Sequence, residues 1–396
     1  MTKSDLMLQQ LRYYLIRHPS CKVTKCPNLR LVMKKKESLH QVRKKLRNLF
    51  VDAISCQRDE ETNKLRIRFK KTKVFNRKSW DNVSFSQRKG VHVKSTDPKA
   101  QPFVMRRVKW PTLIRLSAIA AQILKSLQSD GACNRTVRHV YYLEKRILRD
   151  QVYTRNQVHD IAATIRVPRL FLNVYGSCWG SICGNFVYRT DEDSHSGSVS
   201  ALQTVPKANQ ILSIKSPAKY VLIIETDATA QALVERKIQQ TENCILIASR
   251  GYPDANTRQI VHLLWNHLQI PVFVMTDCDP SGMEIMCIYR FGSLSMAYDS
   301  AAMVCPAVRW LGIFPHQVTR CNLRDYSSQR YTVSDWKKVA ELKSRPYIQS
   351  NPQLMKCVKD LDQSGRAVEL EAFTDDGADF LAEELIPHAI SNCHWV

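Results

Sequence analysis

The chain has 396 residues, 44% of them hydrophobic, which is enough for two or three domains with cores of their own and excludes dependence on a disulfide or metal staple. Its formal net charge is +23, and residues 1–100 hold 26 Lys or Arg against 8 Asp or Glu, an excess of 18 that leaves 5 for the rest. A polyanionic partner explains that balance, because each neutralised phosphate releases a condensed counterion.

The 13 cysteines are scattered, and neither Cys21/Cys26 nor Cys178/Cys183 is followed by a second ligand pair, so free thiols are expected in place of structural zinc. The opening MTKSDLMLQQLRYYLIRHPS lacks a continuous apolar stretch, and no run of about 18 apolar residues occurs. The expectation is a soluble intracellular protein with no membrane contact.

In chain order, residues 1–104 mix the basic runs KKK (34–36), RKKLR (43–47) and RIRFKKTK (66–73) with short apolar stretches. They read as a basic, partly disordered region suited to nuclear import and nonspecific DNA contact. From Pro111, PTLIRLSAIAAQILKSLQSD places apolar residues at helical spacing and stops at Asp130-Gly131. TVRHVYYLEKRILRD predicts a second helix. TRNQVHDIAATI predicts a third, with Thr154 as N-cap and Gln157 completing a capping box. That third helix carries Arg155, Asn156, Gln157 and His159. RLFLNVYG and NFVYR follow as β-type runs separated by the glycines of GSCWGSICG. Helices ending in a hairpin make a winged helix-turn-helix over residues 105–200, with Arg155 and Gln157 as candidate DNA contacts.

DEDSHSGSVS (191–200) reads as a loop at a boundary. Over residues 201–396 the pattern becomes α/β: YVLIIE, CILIAS and PVFVMTD are continuous apolar runs of strand length. TAQALVERKIQQ and NTRQIVHLLWNHL between them have helical periodicity. The order predicts a parallel sheet.

Two of these strands end in acids, and parallel sheets present ligand sites at the carboxyl ends of their strands. Glu225 closes the first, and Asp277 and Asp279 close the third, facing the same way because side chains alternate along extended chain. Three carboxylates in one crevice need a cation, and an oxygen-only donor set favours Mg²⁺ or Mn²⁺. Asp227 and Glu284 fall outside that alternation; Glu284 reads as part of a solvated helix face. Arg250, in the turn SRGYPDANTR, and Arg258 are candidate phosphate contacts.

RHVYY, VPRLFLNVYGSCWGSICGN, YVLIIETDA, SRGYPDANTR, VFVMTDCDPSGMEIMCIYRFGS and PAVRWLGIFP, in that order, resemble the motifs of the meiotic DNA double-strand-break transesterases, the eukaryotic relatives of the topoisomerase VI A subunit. The resemblance runs from about residue 105 to the C-terminus. It implies a winged-helix domain bearing a nucleophilic tyrosine, followed by a Toprim domain that binds Mg²⁺. The attacking residue falls on Tyr142, the motif arginine on Arg138, and the Toprim acids on Glu225, Asp277 and Asp279. His139 stands where the family usually has Asp, and Trp179 where a Lys is common.

A tyrosine hydroxyl ordinarily titrates near 10, so attack at neutral pH needs assistance, which Arg138, one helical turn before Tyr142, is placed to give. The resemblance further implies a nuclear, chromosomal protein acting on double-stranded DNA as a homodimer. The implied partners are a separate B-type subunit, together with other meiotic recombination factors. The alternatives are a topoisomerase VI A subunit working with an ATPase partner, and a catalytically silent DNA-binding scaffold.

Overall fold

A computed structural model describes residues 41–48, 58–59, 64–67, 83–86, 90–93, 106–108, 110–128, 135–165, 167–176, 180–190, 193–318, 328–373 and 379–396. Most of the basic region 1–104 and Trp179 therefore lie outside the described residues. Among the described residues no helix is long and apolar enough to cross a membrane. Cys183, Cys244, Cys278, Cys287, Cys305, Cys357 and Cys393 are all free thiols.

The first core is helical. Helix α1 (Trp110–Gln128) turns Leu116, Ile119, Ile123 and Leu127 inward at the expected spacing. Helix α2 is Val137–Leu143, shorter than the sequence predicts. It stops where Glu144 leaves helical dihedrals, its carboxylate taken by the Gln122 side chain of α1. Helix α3 is Gln151–Ile165 and starts earlier than predicted. Its cap is Asp150, whose carboxylate accepts from the Tyr153 N–H at 2.6 Å. Thr154 lies fully buried inside the helix and bonds the Asp150 carbonyl at 2.8 Å, since a buried hydroxyl must find a backbone partner.

The expected wing hairpin does not form between its two predicted strands. RLFL is a 3-10 turn (Arg169–Leu172) that buries Phe171 and Leu172 together in the helical core. Val174–Tyr175 then pairs in parallel with Arg135–Thr136. Val187–Arg189 belongs to a separate three-stranded antiparallel sheet, between Ser194–Ser196 and Ser213–Lys215. DEDSHSGSVS is thus not simply a loop. The Thr190 N–H donates to the Asp193 carbonyl at 2.8 Å, and His195 stacks on Tyr188 with ring centroids 5.0 Å apart. Local polarity hid that strand, because it is stabilised across the hairpin.

The second core is a six-stranded sheet of β1 (Ser181–Cys183), β2 (Gln203–Thr204), β3 (Tyr220–Ile224), β4 (Cys244–Ala248), β5 (Val272–Met275) and β6 (Val308–Gly312), in the order β2-β1-β4-β3-β5-β6. β3 runs parallel to both β4 and β5, and β5 parallel to β6. β1 runs antiparallel to β4, and the edge strand β2 antiparallel to β1. Every residue of β3, β4 and β5 is buried, as a sheet covered on both faces requires.

The crossover after β3 is α4 (Asp227–Glu235), which breaks at left-handed Lys237 before a further turn of helix, so TAQALVERKIQQ is two pieces. α5 (Ala255–Leu268) is continuous and capped by Asp254. α6 (Pro280–Phe291) follows β5, and α7 (Val333–Lys343) opens on a capping box of Thr332 and Asp335. The chain passes from the helical core to the sheet core between Val174 and Ile182.

Candidate active site

Thr136 caps α2, its hydroxyl accepting from the His139 N–H at 3.0 Å, and buried Val137 and Val140 fix which way the helix is rotated. Consecutive helical residues point about 100° apart. Tyr141 therefore packs against the helical core, while Tyr142 is 50% exposed. The two rings meet edge-on with centroids 5.2 Å apart. The Arg138 guanidinium lies 5.7 Å from the Tyr142 ring centroid and the Lys145 ammonium 5.9 Å, so two cations flank an accessible phenol. His139 is exposed beside them.

The acids gather where the parallel strands end. Glu225 follows β3 and is 7% exposed, and its Oε2 accepts the Asp277 N–H at 3.0 Å. Asp277 follows β5, and its Oδ1 accepts from the Leu370 N–H at 2.8 Å. Asp279 is the N-cap of α6, its Oδ1 accepting the Gly282 N–H at 2.6 Å. Gly282 is required there: a Cβ would stand 2.3 Å from the Asp277 carbonyl oxygen.

Burial raises the Glu225 pKa, and the Asp277 and Asp279 carboxylates add to the rise. Burial likewise raises Asp277, reinforced by Asp279, Glu369 and Glu371 and opposed by the Leu370 N–H. Asp279 is raised by burial too, against the pull of the Gly282 N–H. Such a set of mutually repelling oxygen donors suits a hard divalent cation. Among the described residues no three His, Cys, Asp or Glu side chains are drawn tightly enough together to enclose an ion as they stand.

The segment that clasps this loop carried no signal in the sequence. Cys278 and Val368 exchange backbone hydrogen bonds of 2.8 and 3.3 Å, which brings Leu370, Glu369 and Glu371 to the acids from about ninety residues away.

The other candidates are dispersed. Arg155 is exposed and Gln157 half-buried on α3. Arg250, at φ 56°, holds Asp227 through two hydrogen bonds of 2.9 and 3.0 Å. Arg258 is only 3% exposed and lines an interior cavity instead of the open surface. Glu284 is not on a solvated face. It accepts from Lys338 at 2.8 Å, from Arg345 and from the Tyr252 hydroxyl. Burial alone would raise its pKa, but Arg345, Lys338 and Tyr252 outweigh it and hold the carboxyl at about 2.

Residues 220–390 match the family model for the Toprim domain shared by Spo11 and the topoisomerase 6 A subunit. The chain is 31% identical over 337 residues to the human meiotic recombination protein SPO11, covering 82% of each chain. It is 32% identical over 331 residues to the mouse protein of that name, again with 82% of each covered. To the DNA topoisomerase 6 A subunit of Arabidopsis thaliana it is 23% identical over 290 residues, covering 72% of this chain and 67% of that one. The matched region takes in the four parallel strands β3 to β6 and the acids at their ends, and the longer alignments cover most of both chains. On that extent of similarity the chain belongs to the family of Spo11 and the topoisomerase 6 A subunit and carries its Toprim domain.

Proposed function

We propose that this protein makes meiotic DNA double-strand breaks by transesterification. The Tyr142 Oη attacks a backbone phosphorus, the bond to the 3′ oxygen breaks, and the 5′ end is left joined to the tyrosine. One phosphoester replaces another, so cutting needs no nucleotide hydrolysis. The phenol proton must leave and a proton must reach the departing 3′ oxygen. Arg138, over the Tyr142 ring, is the group placed to favour phenolate and the negative charge at phosphorus.

The observation that carries this reading is an exposed tyrosine flanked by cations, in a chain whose carboxylates Glu225, Asp277 and Asp279 gather at the carboxyl end of a parallel sheet. Those three residues would hold Mg²⁺, or Mn²⁺ in its place. When bound there, such an ion would polarise the scissile phosphate and offset charge on the departing oxygen. Each chain has one Tyr142 and one such acid set, so a double-strand cut takes a homodimer, the tyrosine of one protomer working with the acids of its partner. A separate B-type subunit, other recombination factors and a location on nuclear chromosomes complete the proposal. The helical unit over residues 105–200 would act as the winged-helix DNA-binding domain, ahead of the Toprim domain and C-terminal extension over 201–396. The basic residues 1–104 would add nonspecific DNA contact.

The test is covalent protein–DNA complex formation on duplex DNA with Mg²⁺ and the B-type subunit. The native chain is expected to give a denaturant-resistant adduct that Tyr142→Phe abolishes; equal adduct from both refutes the reading. Similarity to a topoisomerase 6 A subunit favours a second outcome, in which the break is rejoined after strand passage. Relaxation of supercoiled DNA by the assembled subunits would identify it.

A further inference from the structure

Between the helical core and the sheet core lies a pair of adjoining cavities of about 410 and 770 Å³ that Arg169 lines in common. Arg258 lines the larger and Asp299 the smaller. Arg169 is 7% exposed and Arg258 3%, and the Nε and Nη2 atoms of both lack a hydrogen-bond partner among the described residues. Arginine keeps its charge, and a buried guanidinium without acceptors is costly.

The obvious internal partner does not supply them. Asp299 is 4% exposed and accepts the Arg169 backbone N–H at 3.3 Å through Oδ2, while its Oδ1 has no partner among the described residues. Neither guanidinium donates to it among the described hydrogen bonds. Burial pushes the Asp299 carboxyl up to about 7, although the Arg169 N–H and both guanidinium groups oppose the rise.

The other groups facing the cavities leave the balance positive. Arg169 Nη1 lies 3.1 Å from His159 Nε2, and since the guanidinium can only donate, Nε2 accepts and the imidazole is neutral. The other imidazole nitrogen lies 2.6 Å from the Tyr298 hydroxyl. Asp254 is taken up by the Asn256 and Thr257 N–H groups and the Thr257 hydroxyl. Glu284 is taken up by Lys338 and Arg345, and Glu341 is one further acid at the wall of the larger cavity. Arg138 and Arg155 add two more cations at the wall. Water could satisfy the orphan N–H groups but not the excess charge.

We propose that Arg169 and Arg258 form a phosphate-binding site between the helical and sheet units. A tetrahedral dianion or a phosphodiester offers several acceptors to two planar forks and offsets the charge that Asp299 leaves unbalanced. The ligand is either free phosphate or a backbone phosphate of DNA. Only the second source rests on the function proposed above.

The test uses the full chain with inorganic phosphate, chloride serving as the ionic-strength control, and separately with duplex DNA. If the site takes free phosphate, phosphate raises the unfolding midpoint. Arg169→Lys and Arg258→Lys, which keep charge but lose the fork, then weaken it about tenfold or more. Asp299→Asn tightens it, because a competing acid is removed. If the phosphate is that of DNA, free phosphate leaves the midpoint unmoved and duplex affinity falls in the same variants. Arg258→Met then also flattens the log–log salt dependence by about one.

Unchanged affinity for both ligands in the Lys variants overturns the proposal, as does an Asp299→Asn chain that is destabilised and binds neither more tightly. Loss of adduct with native phosphate binding would fault the tyrosine chemistry and leave this site standing.

Discussion

Replacing Glu284 by Gln keeps the side chain's size and one carbonyl acceptor but removes the charge that Lys338 and Arg345 share. The Glu284 side chain is 18% exposed, Arg345 14% and Lys338 23%, so solvent replaces little of what is lost. With the folded carboxyl held at about 2 against an ordinary 4.5, the ionised form is favoured by about 3 kcal/mol. Removing one partner from a buried pair costs roughly 3–5 kcal/mol, which agrees in size.

Glu284→Gln is therefore expected to destabilise the Toprim unit by about 3 kcal/mol at neutral pH in urea denaturation followed by circular dichroism. The pH dependence adds a second constraint. A depressed folded pKa contributes stability that is fully present above about 4.5 and is lost as pH falls through about 2. The gap between native and variant should stay constant from pH 7 to about 5 and narrow below 4.5. A gap under about 0.5 kcal/mol at pH 7, the usual size for a surface change, would show that Glu284 is not held by those cations. So would a gap that persists unaltered at pH 3.

Gly282→Ala puts a methyl 2.3 Å from the Asp277 carbonyl and 2.9 Å from Thr276 Oγ1. The backbone must move, costing about 1–3 kcal/mol. Calorimetric Mg²⁺ affinity should fall with it, and an unchanged midpoint and affinity would rule out the close approach. Thr276→Val leaves the Trp310 indole N–H, now 2.9 Å from the Thr276 hydroxyl and fully buried, without an acceptor. A loss of about 1–3 kcal/mol is expected in denaturant titration read by tryptophan fluorescence, and a neutral substitution would mean that water takes the vacated place.

Local pattern carried a good deal of this architecture. YVLIIE, CILIAS and PVFVMTD are β3, β4 and β5 almost to the residue, because strands covered on both faces have to be apolar throughout. PTLIRLSAIAAQILKSLQSD is α1, because one buried stripe at helical spacing has few other uses. Strand ends alone single out Glu225, Asp277 and Asp279, and the 100° rotation between helical neighbours makes Tyr141 and Tyr142 non-equivalent, whereas the choice of Tyr142 leans on the family motif.

Where local pattern failed, a distant partner decided. Thr154 resembles a cap, yet it is fully buried within α3 and the capping falls to Asp150. RLFL has strand composition, but both Phe171 and Leu172 are drawn into the helical core, which an alternating strand cannot do. Glu284 looked solvated because Lys338 and Arg345 lie more than fifty residues beyond it.

The sequence by itself thus determined the parallel sheet, the acids at its strand ends, the tyrosine pair and the basic charge, all of which follow from periodicity and alternation within one segment. Only the tertiary structure decided that Val368 and Leu370 clasp the acid loop and that Arg169 and Arg258 face one interior space. It also decided that Tyr142 stands in solvent between two cations. Those are meetings of segments far apart in the chain, and no local spacing encodes which groups burial will bring together.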